Sequence, residues 1–311
     1  MKILITGGAG FIGSHLVNAL SKDNEVIVVD NLSTSTTKYI QPLIDGGKIK
    51  FIKHDLSIYK DDLFEGVDIV YHYAACPDVR LSAEKTKLIY DDNVLATFNV
   101  LEAMRKKDVK KIVFASTSTV YGMAKQIPTP ENYSFHPISN YAASKIMGEA
   151  FIQSYAATYG FDYTILRYAN IFGPRSNHGV VWDFYHKLKA NPKELLILGN
   201  GLQNKSYLYI DDAISATLLA ANQRDSFDRI FNIGSENQIT VNEIAKIVAD
   251  EMELNPKFKY TNNNEFPVGG WKGDVPNFLL DVAKIKELGW APKTSTEDGI
   301  RKYVRWIKEN S

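Results

Sequence analysis

Cysteine is almost missing from this chain of 311 residues, where Cys76 stands alone. A disulfide framework and a multi-cysteine metal site are both excluded. Net charge is missing too, because 36 basic residues cancel 36 acidic ones. That balance argues against a nucleic-acid or anionic-membrane surface as the main partner, though a few local groups can still hold a small anion. No apolar run reaches the ~18 residues of a membrane span. The apolar opening at residues 2–6 is too short for a secretory h-region. A soluble cytoplasmic protein is expected. Internal repeats and low-complexity tracts are also lacking. What is present is core material: 45% hydrophobic residues, with 15 Phe, 17 Tyr and 4 Trp. That is enough for a sizeable core in one large or two ordinary domains.

Short runs rich in Val and Ile alternate with helical patterns through the first half. Strands are predicted at 2–6, 25–30, 49–54, 67–72, 109–115 and 161–168, and helices at 11–22, 82–107 and 139–159. This rhythm reads as βαβ units, and therefore as an α/β, doubly wound parallel sheet of Rossmann type. Beyond residue 169 the rhythm loosens, with helices at 210–223, 240–254, 281–288 and 296–309. The expected division is a dinucleotide-binding domain at 1–168, to which the chain returns around 206–233, and a smaller mixed α/β domain at 169–311.

The first strand runs directly into Gly7-Gly8-Ala9-Gly10-Phe11-Ile12-Gly13. Gly8, Gly10 and Gly13 make a G-x-G-x-x-G pattern between a strand and a helix, the context the motif requires. Its glycines permit a tight turn and let the backbone approach a pyrophosphate at the positive end of the helix. Asp30 closes the next strand, where a carboxylate accepts from ribose hydroxyls and repels a 2′-phosphate. NAD is therefore expected rather than NADP. Asp55 lies after the third strand, where adenine should sit. Ala74 and Ala75 follow the fourth strand, and their small size would let a cofactor pass.

Tyr141 and Lys145 are four residues apart on a predicted helix and so share one face. A tyrosine is a poor base at its ordinary pKa of about 10. A nearby ammonium and an oxidised nicotinamide are expected to lower that value. Ser116-Thr117-Ser118-Thr119 follows the fifth strand and offers hydroxyls at the ligand-bearing edge of the same sheet. The histidines have no metal-site spacing and read as structural, and Cys76 reads as a small residue near the cofactor.

In these motifs the chain resembles the extended short-chain dehydrogenase/reductases of the nucleotide-sugar epimerase/dehydratase group. The likeness runs over essentially the whole length. It rests on Thr6 to His15, Asp30-Asn31-Leu32, His72-Tyr73-Ala74-Ala75 and Asn93-Val94-Leu95-Ala96-Thr97. It continues through Ser116 to Gly122, Tyr141 to Lys145, Leu166 to Arg175 and Tyr209 to Asp212. Within the group, the compact 4-epimerases of UDP-hexoses are most similar.

The resemblance implies NAD held by Gly7, Gly10, Phe11, Ile12, Gly13, Asp30, Asn31, Asp55, Leu56, Ala74, Ala75, Asn93, Tyr141, Lys145 and Tyr168. It implies Tyr141 as base, Lys145 on the nicotinamide ribose, and Thr117 as hydroxyl partner, with Ser118 and Thr119 beside the sugar. For the nucleotide it implies Asn170, backbone around Val180 and Val181, then Gln203, Lys205, Tyr207, Lys272 and Asp274. Lys205 stands where the group usually has Arg, and Trp271 where it has a second one. No metal is implied, and pairing into a homodimer through the helices at 82–107 and 139–159 is.

Dehydratases and decarboxylases of the group carry Asp or Glu directly after the threonine, whereas this chain has Ser118 and Thr119. The expected activity is therefore NAD-dependent 4-epimerisation of a UDP-hexose (UDP-galactose/UDP-glucose) through a 4-keto intermediate, with hydride out and back. UDP-glucuronate or a UDP-N-acetylhexosamine is the alternative substrate, and dehydration or decarboxylation the next reading. A cofactor-exchanging alcohol dehydrogenase and an NAD-sensing module stand further off.

Overall fold

The computed structural model describes residues 1–223, 229–261 and 273–310. Six strands arise early in the chain: β1 (Lys2–Thr6), β2 (Glu25–Asp30), β3 (Ile49–Lys53), β4 (Ile69–His72), β5 (Lys111–Thr117) and β6 (Asp162–Tyr168). With Ile230–Ile233 they form one seven-stranded sheet, ordered Ile230–Ile233, β6, β5, β4, β1, β2, β3. The pairs β3·β2, β2·β1, β1·β4 and β4·β5 are all parallel. Successive strands move outward from β1 in one direction and then, from β4, in the other. The reversal between β1 and β4 is the switch point at which such sheets open a ligand crevice. In register, Thr6 lies beside His72, and His72 beside Phe114.

The helix α1 (Phe11–Leu20) follows β1, α2 (Ala96–Lys106) precedes β5, and α3 (Asn140–Tyr159) precedes β6. Ser139 caps α3 by accepting from Ala142 N, and Gly160 ends it in the left-handed conformation, as a C-terminal glycine without a Cβ readily does. The expected helix at 82–107 is not continuous. Leu81–Glu84 and Thr86–Ile89 are short turns, and Tyr90–Leu95 widens into a π-helical turn before α2. The core under one face of the sheet joins Leu4, Val29, Val70, Ile112 and Phe114 to Val100, Leu101 and Met104 of α2. Each such buried side chain contributes about 1.5–3 kcal/mol relative to exposure.

The chain divides into two compact units, residues 1–120 with 137–167 and 217–231, and residues 121–136 with 168–216 and 232–311. In the second, Asn204–Tyr209 is paired with Gln238–Thr240, Asn277–Phe278 and Asn170–Phe172. A capping box of Thr240 and Glu243 starts its helix Val241–Glu251. Asp212 accepts from Lys293 N at 2.8 Å and Thr294 N at 3.0 Å, tying the approach to the last helix. Among the described residues no helix is long and apolar enough to cross a membrane.

Candidate active site

The glycines after β1 are required by close approach. A Cβ on Gly13 would lie 2.1 Å from Gly7 O, and one on Gly7, whose φ is +68°, would lie 2.6 Å from Ala74 N. Gly8 packs against Val28, 2.7 Å from where its Cβ would stand. Phe11 and Ile12 open α1, and Gly10 before them caps it with no side chain. The N–H groups of that first turn are thereby left for an anion.

Asp30 is buried and already braced: Oδ2 accepts from Ala9 N at 3.0 Å, and Oδ1 from Leu32 N at 2.8 Å and Ser35 Oγ at 3.1 Å. The carboxylate thus sits against the glycine turn with lone pairs to spare for ribose hydroxyls. Asp55 accepts from Ser57 N and Ser57 Oγ, and from Asn31 Nδ2 at 3.4 Å. Burial pushes its carboxyl up, but those hydrogen bonds outweigh it and hold the pKa below the ordinary value. Leu56 turns its side chain into the core, so only its backbone can meet a ligand.

Ala74 and Ala75 are half-buried beyond β4. Asn93, in the π-helical turn, spends its side chain on Cys76 N at 2.7 Å, Cys76 O at 3.2 Å and Ser144 Oγ at 2.9 Å. It fixes the segment after Ala75 and the helix carrying Tyr141. Cys76 is buried, and burial raises its thiol pKa. Tyr168 ends β6 and is buried.

Thr117, Tyr141 and Lys145 gather in the first unit. The Thr117 side chain lies against Tyr141, which is half-buried, and its Oγ1 is 3.1 Å from Thr119 Oγ1. Lys145 is buried; its Nζ donates to Ala115 O at 2.9 Å and stands 4.9 Å above the Phe114 ring. Burial draws the Lys145 pKa down to about 8, against the charge of Glu149. The expected lowering of Tyr141 by Lys145 is not what the chain alone shows. Burial pushes the phenol up to about 12; Thr117 acts the other way and Cys76 adds to the rise. The Lys145 ammonium is engaged on Ala115 O instead. Ser118 and Thr119 open a 3₁₀ turn at Ser118–Tyr121.

In the second unit, Asn170 is half-buried on the strand Asn170–Phe172. Val180 and Val181 begin the helix Val180–Ala190, with Val181 buried. Gln203 is buried, donating to Leu198 O at 3.0 Å while its Oε1 has no hydrogen-bond partner. Lys205 Nζ meets Asp274 Oδ1 at 2.5 Å, a nearly buried pair. Burial and Asp274 raise the Tyr207 pKa well above the ordinary tyrosine value. Trp271 and Lys272 lie outside the described residues.

Residues 3–234 match the family described as the NAD dependent epimerase/dehydratase family. The chain belongs to this family. It is 38% identical to a putative UDP-glucose 4-epimerase of Methanocaldococcus jannaschii, with 99% of each chain covered. A crystal structure of UDP-glucose 4-epimerase with UDP-glucose from Thermotoga maritima superposes with a TM-score of 0.89 at 34% identity, covering 100% of this chain and 99% of that one. The dTDP-D-glucose 4,6-dehydratase of Mus musculus is 32% identical over 99% of this chain and 89% of its own. An enzyme of the extended short-chain dehydrogenase/reductase type is thereby shown, and its relatives differ in reaction.

The residues present fit the family's cofactor. The glycine turn leaves no room for a Cβ at Gly7 or Gly13, α1 opens uncapped, and Asp30 waits at the end of β2. Two features of this family member were missed in the sequence. Thr6 Oγ1 and His72 Nδ1 are 2.7 Å apart, and His72 Nε2 and Thr97 Oγ1 are 3.0 Å apart, a buried link below Ala74. Glu149 and Arg167 form a buried ion pair behind Lys145. The only sequence signal for Glu149 was its place one turn beyond Lys145.

Proposed function

We propose that the chain epimerises a UDP-hexose at carbon 4, interconverting UDP-galactose and UDP-glucose. The observation that supports this best is the turn beside the Tyr141–Thr117 pair, which offers hydroxyls and no carboxylate: Thr119 Oγ1 lies 3.1 Å from Thr117 Oγ1. Elimination of water needs a further acid–base group there, and Ser118 and Thr119 are not acids at neutral pH. A reaction that removes and restores one proton needs only what is present.

When bound, NAD supplies a hydride acceptor at carbon 4 and a positive charge. The other work falls to the chain's own side chains. Thr117 orients the 4-hydroxyl. Tyr141 takes its proton as the carbonyl forms, and returns one to the ketone oxygen after the sugar has turned. With its pKa near 12 in the chain alone, the phenol becomes a base only when cationic charge beside it offsets burial. Lys145 supplies part of that charge and anchors the cofactor ribose. Asn170, the backbone at Val180 and Val181, Gln203, Lys205, Tyr207 and Asp274 serve the nucleotide, a handle that does not react. A diphosphate reaching Lys205 competes with Asp274 for its ammonium.

UDP-galactose, UDP-glucuronate and UDP-N-acetylglucosamine, incubated separately with the protein, test the reading by chromatography and mass spectrometry. An epimer of unchanged mass from UDP-galactose supports it. A product lighter by water or carbon dioxide overturns the reaction, and conversion of only one of the other sugars overturns the substrate. We extend the proposal to a cytoplasmic homodimer. Phe98, Met147 and Phe151 are exposed on α2 and α3, and the two Phe rings lie 5.9 Å apart. Light scattering at the 35.0 kDa of one chain would remove the dimer.

A further inference from the structure

Behind the proton-transfer residues lies a buried ion pair with no role assigned above. Glu149 stands one turn beyond Lys145 on α3 and is fully buried, as is nearly all of Arg167 on β6. Arg167 donates from Nε to Glu149 Oε1 at 3.0 Å and from Nη2 to Oε2 at 2.6 Å. Ser116 Oγ donates to the same Oε1. Ser116 is flanked by the two residues on which the site depends. Ala115 O holds Lys145 Nζ at 2.9 Å, and the Thr117 side chain lies against Tyr141. Gly148 lets α3 down onto β5, since a Cβ there would meet Phe114 Cζ at 2.6 Å.

A buried pair is weak as a source of stability, because desolvation offsets its attraction and apolar residues of the same shape do as well. This pair holds more than itself, because its carboxylate reaches the strand end that presents the site. We propose that the Arg167–Glu149 pair is a positioning device, which through Ser116 fixes the end of β5 and with it Thr117 and the Ala115 carbonyl that holds Lys145. The groups around Lys145 are Glu149 on its own helix and His72 on β4, with Arg167 of β6 paired to Glu149. Of these, Glu149 opposes the effect of burial on Lys145.

The test uses Glu149→Gln and Ser116→Ala in the full NAD-loaded chain. Carbon-13 lysine NMR reads the Lys145 titration without any substrate, with Lys145→Met identifying its resonance. Glu149→Gln should lower that midpoint by about one pH unit. Ser116→Ala should lower kcat about tenfold while KM and bound NAD stay within about twofold. Glu149→Gln leaves Arg167 unpaired; if it does not fold, Ser116→Ala decides, since it keeps the ion pair. An unmoved Lys145 midpoint in Glu149→Gln, or wild-type kcat in Ser116→Ala, overturns the proposal. It rests on Tyr141 and Lys145 acting in proton transfer, so Tyr141→Phe is assayed alongside. Full activity there sinks that reading, whereas an inactive Tyr141→Phe beside a wild-type Ser116→Ala sinks only the positioning role.

Discussion

Acidification should loosen the ligand edge of the sheet through His72. Thr97 Oγ1 donates to Asn93 O at 2.6 Å, so it offers His72 Nε2 a lone pair, and Nε2 carries the proton. His72 Nδ1 is then bare and accepts from Thr6 Oγ1, which itself accepts from Tyr73 N and Ala74 N, each at 3.2 Å. A second ring proton would break this chain. Burial, with the Lys145 charge adding to it, draws the His72 pKa from 6.5 to about 3. The unfolded chain therefore binds the extra proton first, and stability is lost as pH falls below 6.5 towards 3. From about pH 7 to about pH 5 the loss is near 1.5 pH units at 1.36 kcal/mol each, or about 2 kcal/mol. Denaturant unfolding at the two pH values measures it, with His72→Gln as reference. The variant should be less stable at pH 7 but should lose about 2 kcal/mol less on acidification. An equal acid loss in both proteins would refute the reasoning.

Three further outcomes are expected. Tyr141→Phe removes the proposed proton acceptor and should cut turnover by about 10²–10⁴-fold while NAD stays bound, read by product formation and cofactor content. Gly13→Ala places a Cβ 2.1 Å from Gly7 O and should cost about 1–3 kcal/mol of stability together with bound NAD, read by thermal unfolding and NAD titration. Leu101→Ala empties a fully buried site; it should cost about 2–5 kcal/mol in denaturant unfolding, with Thr117, Tyr141 and Lys145 untouched.

The parallel strands were legible because each is a β-branched run bounded by punctuation, and Gly8, Gly10 and Gly13 were legible because their neighbours on both sides are regular. The break in the 82–107 pattern was not. A π-helical turn at Tyr90–Leu95 changes helical phase by one residue, and what favours it is tertiary: Asn93 reaching Cys76 and Ser144. The state of Tyr141 in the chain without cofactor was not legible for a related reason. Spacing places Lys145 on the same face, but it is the packing of α3 on β5 that brings its ammonium to Ala115 O. Glu149 was hidden because a Glu four residues from a Lys is an everyday surface pattern; its burial depends on Arg167, which arrives from β6.

The central claim is that hydrogen leaves carbon 4 of the sugar as hydride and comes back to the same carbon. UDP-galactose carrying deuterium at carbon 4, converted in ordinary water, tests it most directly. Retention of the label at carbon 4 of UDP-glucose, with no NADH accumulating in solution, is the predicted result. Label lost to water, or found in released NADH, would contradict it.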